Sequence, residues 1–562
     1  MNKRFRHHPH QNPPPTNALR IIPLGGVGTV TKQMFAYIYG DDMLVVDCGI
    51  GFGGQDLFGV DFSIPDCAPL RSMRKKLHAY LLTHAHEDHI GALPFILPEL
   101  PAPIYGTPFT VAMVQERLRE KRIPHQAISM QLRQPYHFGA FTVEAVHMTH
   151  SVPDAAALRI SCPAATVVHA ADFKFDWTPV DGLPSDAARL GQFGEEGVDV
   201  LLSDCLRAEK KGTTLSERSI EETFESELLK TRGKFLMTTA SSNISRIQQA
   251  VDVALRNGRK ISFVGRSIER TVLVAQRLGM LHLPSHAVVD ADAISSMRPE
   301  NIVAIVSGSQ GQIGSALERI ALGKHQIKVT ADDTVVFSAD PIPGSEVAVH
   351  RVIDLFSRRR ARVLYSDILD DLHVSGHGAQ TDLALMVGLT RPYAVLPIGG
   401  DYRHMDHYAS LVRQMGYEEH QILMIAEGQP ILVGRHRIHL DKPIPVRQVM
   451  VDAFGEKTEV NVVHDRQLLA AEGMLIVVVT IDVAAKELVG HPDFLPRGLT
   501  LPDETKVYTG AEGVIRTLVH AISAVDLRDG HALREEIENA MAEYIFKVAK
   551  KRPLIVPVLV EV

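Results

Sequence analysis

The segment Thr83-His84-Ala85-His86-Glu87-Asp88-His89 carries four side chains able to ligate a metal (His84, His86, Asp88 and His89) within six positions. It follows the apolar run His78-Ala79-Tyr80-Leu81-Leu82, so it reads as a strand ending in a tight turn. Side chains alternate along extended backbone, so His84 and His86 face the same way. Asp88 and His89 then sit on the turn and can face a second ion. Imidazole with carboxylate suits zinc or a similar divalent ion, which generates hydroxide from bound water near neutral pH. The bland reading is a surface cluster of histidines, but HxHxDH is far more demanding than a lone pair.

More ligand-type residues recur where apolar runs end. Asp47 closes Met43-Leu44-Val45-Val46, Asp172 closes Thr166-Val167-Val168-His169-Ala170-Ala171, and His150 follows the alternating segment from Phe141 to His147. Singly, each reads as a capping aspartate or an ordinary histidine. Together with HxHxDH they read as one site, with rigid strands holding the ligands and loops leaving one face open.

The elements that must position these groups fall into an α/β pattern. Residues 19–210 alternate β-type runs with Gly/Pro turns and helical stretches such as Phe109 to Lys121. In residues 211–375, helical segments (Ile220 to Thr231, Arg246 to Asn257, Glu269 to Leu278) alternate with short apolar strands at Phe235 to Thr238, Ile261 to Val264, Ile302 to Val306 and Thr334 to Ser338. That alternation predicts a mostly parallel sheet, whose strand-to-helix turns offer backbone N–H groups to phosphate. Residues 376–440 return to the first domain, and 441–464 read as a linker. Residues 465–562 read as a compact α/β assembly domain, with strands Met474 to Ile481 and Leu554 to Val560 and helices Gly513 to Ser523 and His531 to Ala549.

Bulk properties narrow the class. The 562 residues suffice for three domains, and a composition of 45% hydrophobic and 22% charged residues is that of a soluble globular protein. The four cysteines show no CxxC spacing, which argues against a disulfide framework or a structural zinc site and fits a cytoplasmic setting. No apolar run approaches a membrane span. Residues 1–18, rich in Pro and basic groups and lacking an apolar core, read as a disordered tail rather than a secretory signal. A net charge of −7 gives no global attraction to nucleic acid, though binding confined to one channel does not need it.

The ordered set HxHxDH, His150 and Asp172 resembles the metallo-β-lactamase superfamily. Asp204 in Leu201-Leu202-Ser203-Asp204 and His377 in His373-Val374-Ser375-Gly376-His377 resemble the first two motifs of its β-CASP nucleases. Ser241-Ser242-Asn243-Ile244, Gly265-Arg266-Ser267, Ser307-Gly308-Ser309-Gln310-Gly311, Pro341-Ile342-Pro343-Gly344 and the closing Lys551-Arg552-Pro553-Leu554-Ile555 resemble the ribonuclease J family, from about residue 19 to the C-terminus. The resemblance implies a metallo-β-lactamase αββα sandwich (19–210 and 376–440) with an inserted β-CASP domain (211–375). It implies a metal-dependent ribonuclease, a 5′-to-3′ exonuclease that can also cut internally, acting on single-stranded RNA in processing and decay. By the same resemblance, His84, His86 and His150 hold one Zn²⁺, Asp172 bridges, Asp88 and His89 hold a second ion, and Mn²⁺ or Mg²⁺ can substitute. Asp47 orients ligands from behind. His377, oriented by Asp204, contacts the scissile phosphate or protonates the leaving oxygen. Ser307, Ser309, Gln310, Ser375 and Gly376 are candidates for gripping phosphate, with simple loop turns as the alternative. A homodimer or homotetramer and RNA-decay partners are expected, and no membrane.

Two departures stand out. The family's third motif carries a histidine that ligates the second ion; here the phrase is Pro397-Ile398-Gly399-Gly400-Asp401, and glycine offers no donor. Gln312 stands where the family has Glu. The expectation is a site that loads its second ion weakly, unless Asp401 or His404 swings in. Two other readings compete with the nuclease: a catalytically reduced RNA-binding subunit, and a small-molecule lactonase or thioesterase, which the long insert disfavours.

Overall fold

The computed structural model describes residues 17–52, 59–342, 344–452, 454–482, 485, 487–521 and 530–562. The basic tail expected over 1–18 thus lies almost wholly outside the described residues. Two sheets make the first layer pair. The eight-stranded sheet runs Arg437–Leu440, Ile431–Gly434, Leu19–Gly25, Met34–Tyr39, Asp42–Val46, Lys76–Leu82, Ile104–Gly106, Ala127–Ser129. The six-stranded sheet runs Ala394–Ile398, Val200–Asp204, Thr166–Ala171, Ala156–Ser161, Phe141–His147, Pro135–Phe138. Phe35, Tyr37, Leu44 and Leu81 from one sheet and Val143, Leu158, Val167, Leu202 and Leu396 from the other belong to one buried cluster. Face-to-face burial of this kind is worth about 1.5–3 kcal/mol for each large apolar side chain.

Parallel pairing decides where the ligands gather. Asp42–Val46 pairs in parallel with Lys76–Leu82, and Thr166–Ala171, Val200–Asp204 and Ala394–Ile398 form a parallel run. The carboxyl ends of strands in each run therefore point one way, and loops leaving such ends are where α/β folds build sites.

The stretch between these strands forms its own five-stranded, all-parallel sheet, in the order Lys260–Val264, Ile302–Val306, Phe235–Thr238, Thr334–Phe337, Arg362–Leu364. Strand Ile302–Val306 is buried throughout, as expected when helices cover both faces. Sequence periodicity missed the short edge strand Arg362–Leu364 and the helix Glu346–Arg358 that precedes it.

Sandwich and insert belong to one compact unit, and residues 449–562 to a second. In that second unit, Met474–Asp482 alternates between buried and partly exposed positions. Its buried side chains join those of helices Glu504–Ala521 and Gly530–Ala549 in a separate core. The first of these helices begins nine residues before the expected Gly513. Gly510 and Gly513 weaken the helical signal, yet Gly510 is where Tyr544 presses in: a Cβ there would lie 2.0 Å from the Tyr544 hydroxyl. The 441–464 stretch, expected as a linker, carries strands Val449–Val451 and Lys457–Thr458 and the start of helix Val460–Glu472. Among the described residues, no helix is long and apolar enough to cross a membrane.

Candidate metal centre

The site lies in the first unit and is assembled from six strand ends. Strand Lys76–Leu82 delivers His84 and His86, and the short helix Glu87–Ile90 that follows carries Asp88 and His89. Asp47 and Ala171 take positive φ values of 57° and 51°, so the chain turns sharply just past the strand at Asp47 and just before Asp172. Asp204 is the last residue of its strand, and Gly399 follows Ala394–Ile398. His150 lies beyond strand Phe141–His147.

His84, His86, His150 and Asp172 each place a ligand atom within 4.8 Å of the others, and so do Asp88, His89 and Asp172. Asp172 belongs to both sets. His84 Nε2 lies 3.1 Å and His150 Nε2 3.2 Å from His86 Nδ1. Asp172 Oδ2 stands 3.7 Å from His84 Nε2, 3.9 Å from His150 Nε2 and 3.2 Å from His89 Nε2. Burial holds His86 down to about 3 and lowers His84 and His150 well below the usual imidazole range. Three neutral imidazoles thus aim lone pairs at one point. Burial would raise Asp172, but His89 and His377 outweigh it and keep it ionised. His89 Nε2 is buried without a hydrogen-bond partner among the described residues. Three imidazole nitrogens and a shared carboxylate converging within 4.8 Å are a donor set that fits a divalent cation.

Behind the ligands sits a rigid scaffold. Asp47, fully buried, accepts from Thr83 N at 2.9 Å and Thr83 Oγ1 at 2.8 Å, and lies 2.7 Å from His89 Nδ1. His89 is raised well above the ordinary imidazole range: burial opposes this, but Asp172, Asp47 and Asp88 together outweigh it. His150 Nδ1 lies 2.8 Å from the Gly376 carbonyl, which fixes Nε2 as the outward nitrogen. Thr83 and the Gly376 carbonyl were not singled out from sequence. Thr83 adjoins the motif, whereas a backbone carbonyl leaves no residue signal.

Facing the ligands, His377 Nδ1 lies 2.7 Å from Asp204 Oδ2, and its ring centroid is 5.0 Å from that of His150. Burial lowers the His377 pKa, but the Asp204 and Asp172 carboxylates overcome it and lift it to about 9. Leu206 N donates to the other Asp204 oxygen at 2.8 Å. Asp88, pushed up to about 6 by burial, completes the acidic side.

The insert holds the loop bearing His377. Arg246, only 1% exposed, donates to His373 Nδ1 at 2.7 Å, to the Val374 carbonyl at 2.9 Å, to the Ser338 carbonyl at 2.8 Å and to Glu217 at 2.7 Å. Within that loop His377 N donates to Ser375 Oγ at 3.2 Å. Ser307 and Ser309 are buried, and Gln310 accepts from Ile342 N and Ser345 Oγ and donates to the Asp340 carbonyl.

At the altered third motif, Gly399 has φ +67° and donates its N–H to the Gly26 carbonyl at 2.8 Å. A Cβ here would stand 3.6 Å from Asp172 Oδ1 and 3.8 Å from Asp204 Oδ1. The expectation that His404 swings in does not match its surroundings: its Nδ1 accepts from Asp401 N at 3.1 Å and its Nε2 lies 4.0 Å from Glu209. Asp401 Oδ2 lies 3.8 Å from Arg403 Nε, with both side chains about half exposed.

Comparisons with known proteins give a consistent set. Family models match residues 42–211 (beta-lactamase superfamily domain), 232–356 (Ribonuclease J, beta-CASP domain), 367–423 (Zn-dependent metallo-hydrolase RNA specificity domain) and 461–562 (Ribonuclease J C-terminal domain). The chain is 34% identical to Ribonuclease J of Helicobacter pylori over 545 residues, covering 96% of this chain and 79% of that protein. It is 32% identical to Ribonuclease J of Mycobacterium tuberculosis, covering 98% and 99% respectively. A crystal structure of a protein of unknown function from Enterococcus faecalis shares the fold, with a TM-score of 0.52, 14% identity and coverage of 74% of this chain and all of that one.

Proposed function

The chain belongs to the ribonuclease J family, and from that premise we propose a metal-dependent ribonuclease that degrades single-stranded RNA 5′ to 3′ and can also cut internally, in RNA processing and decay. The observation that carries this reading is the approach of the His377–Asp204 pair to the cluster His84, His86, His150 and Asp172, with Asp172 common to both groupings. In this reading His84, His86, His150 and Asp172 would hold a Zn²⁺ ion, and Asp88, His89 and Asp172 a weaker second ion, with Mn²⁺ or Mg²⁺ as substitutes. Bound there, the ions would supply a nucleophile near neutral pH and offset charge developing on the phosphate.

The chain's own groups do the rest. His377 keeps a proton on its outward nitrogen because Asp204 holds Nδ1. That proton is available to the leaving oxygen, a transfer typically worth about a hundred- to ten-thousandfold. Ser375 and Gly376 adjoin it and are favoured for gripping phosphate over Ser307 and Ser309, which are buried, and Gln310, whose side chain is hydrogen-bonded to Ile342, Ser345 and Asp340. Assembly as a homodimer or homotetramer belongs to the same proposal and is read by sedimentation of the full chain.

The test is digestion of uniformly labelled single-stranded RNA bearing a 5′-monophosphate, with Zn²⁺ and with Mn²⁺, beside a His86→Ala control and a matched 5′-triphosphate RNA. Metal-dependent release of mononucleotides, absent in the control and slower on triphosphate, is the expected result. RNA binding without turnover above the control would overturn it in favour of a catalytically reduced RNA-binding subunit.

A further inference from the structure

We propose that Arg207 binds a backbone phosphate of the RNA chain, beside the loop that carries His377. The proposal rests on the ribonuclease reading of the site and adds a residue that no motif contains.

Arg207 lies in the turn that leaves strand Val200–Asp204. The backbone on both sides of it is fixed. Leu206 N donates to Asp204 Oδ1 at 2.8 Å, and Ala208 N to the Cys205 carbonyl at 3.0 Å. Gln380 opens the helix Gln380–Thr390 that follows the His377 loop. It donates through Nε2 to the Ala208 carbonyl at 2.8 Å and through its backbone N to the Lys210 carbonyl at 2.9 Å. The turn is thus tied at one end to the partner of His377 and at the other to the helix that follows it.

The guanidinium, by contrast, is left open. It is partly buried, and Nε is enclosed without a hydrogen-bond partner. Among the described residues the group forms neither a hydrogen bond nor an ion pair. Other buried arginines are not left so. Arg246 and Arg259 donate to carbonyls and side chains around them. Arg20, Arg117 and Arg159 also enclose an Nε without a partner, yet each pairs with a carboxylate, of Asp441, Glu87 and Glu196 respectively.

Burial lowers the Arg207 pKa, against the pull of Asp340, Asp204 and Asp382. Asp204 is held by His377, Asp382 accepts from the backbone N–H groups of Phe175, Thr214 and Ala379, and Asp340 lies 3.6 Å from His373 Nε2. An arginine stays charged even when partly buried, and a charge without a partner is costly until a ligand completes it. The planar fork of a guanidinium matches two oxygens of a phosphate. Three carboxylates nearby leave little surplus positive field, which suits the single charge of a phosphodiester better than the near-double charge of a terminal monophosphate. The carboxylates acting on Arg207 do not include Asp88 or Asp172, on the metal side. The phosphate it takes is therefore a neighbour of the one that His377 faces.

The test is fluorescence anisotropy of labelled single-stranded RNA on the full chain across a salt series, with His86→Ala in every sample to block turnover. Arg207→Gln is expected to weaken binding about tenfold and to reduce the slope of log affinity against log salt by about 0.7, the value of one phosphate contact on a single strand. The loss is expected to be equal on RNA with a 5′-monophosphate and with a 5′-hydroxyl. Tm is expected to hold or rise, because no internal contact is removed. Arg207→Lys keeps the charge without the fork, and is expected to retain the slope and lose affinity several-fold. Unchanged affinity and slope in Arg207→Gln overturn the proposal, as does a loss confined to the 5′-monophosphate RNA. Should the glutamine variant not fold, unchanged affinity in Arg207→Lys overturns it. A chain with Arg207 intact that binds no RNA overturns the ribonuclease reading itself, an outcome distinct from the others.

Discussion

Two halves of one candidate metal centre, sharing Asp172, differ in how they are built. The half made by His84, His86 and His150 draws on three imidazoles, two of them barely or not at all exposed, with His150 pinned by the Gly376 carbonyl. The half made by Asp88 and His89 has one imidazole, and glycine stands at its remaining wall. The difference teaches that removing one donor need not dissolve a shared site. The shared carboxylate lies nearest His89, at 3.2 Å, and that histidine is in turn held by Asp47, which is fixed to the backbone of Thr83.

That comparison can be broken most severely from its stronger side. His84→Ala is expected to abolish retention of the tight ion and to lower turnover on the order of a thousandfold, since metal assistance is worth several kcal/mol; metal content after dialysis and single-turnover cleavage check both. Asp204→Asn is next, with an expected loss of about a hundredfold in kcat and little change in retained metal. It also carries a pH signature. The His377 pKa is raised to about 9, so the imidazolium persists below that pH and is lost as pH rises through it. Without the carboxylate, burial acts unopposed, and the alkaline limb of kcat moves to lower pH. An unmoved limb in the variant would exclude His377 as the group that sets it.

Smaller effects sharpen the contrast. Asp47→Ala removes the acceptor behind His89 and is expected to weaken the second ion about ten- to a hundredfold, and the first ion less; competitive chelation of each ion measures the two separately. The smallest change runs the other way. Gly399→His restores a donor where a Cβ would meet neighbours at ordinary distances of 3.5–3.8 Å. It is expected to tighten the second ion about tenfold, at a stability cost of about 1 kcal/mol for a left-handed backbone that histidine tolerates better than most residues. Equilibrium unfolding and metal titration of the same variant read the two terms.

Much of this was legible in the sequence, for identifiable reasons. Strands such as Phe235–Thr238 and Ile302–Val306 announce themselves because burial on both faces leaves an unbroken apolar run between turn residues. HxHxDH is local, so its ligands were visible as a group. Asp204 and His377 are 173 residues apart, and only family resemblance paired them. Glycines concealed the first turns of helix Glu504–Ala521, where a tyrosine from another helix needs the space.

The parallel pairing of Val200–Asp204 with Ala394–Ile398 has a consequence for how the protein is born. During synthesis the first of these strands emerges with its partner edge bare, and the whole insert must follow before the second arrives to cover it. Such long-range closure is slow. His377 lies in the same late-arriving stretch, so an incomplete chain holds most of its metal ligands but not the group that faces them. Until nearly all of the first unit has been made, the chain therefore cannot bring His377 against the ligand cluster.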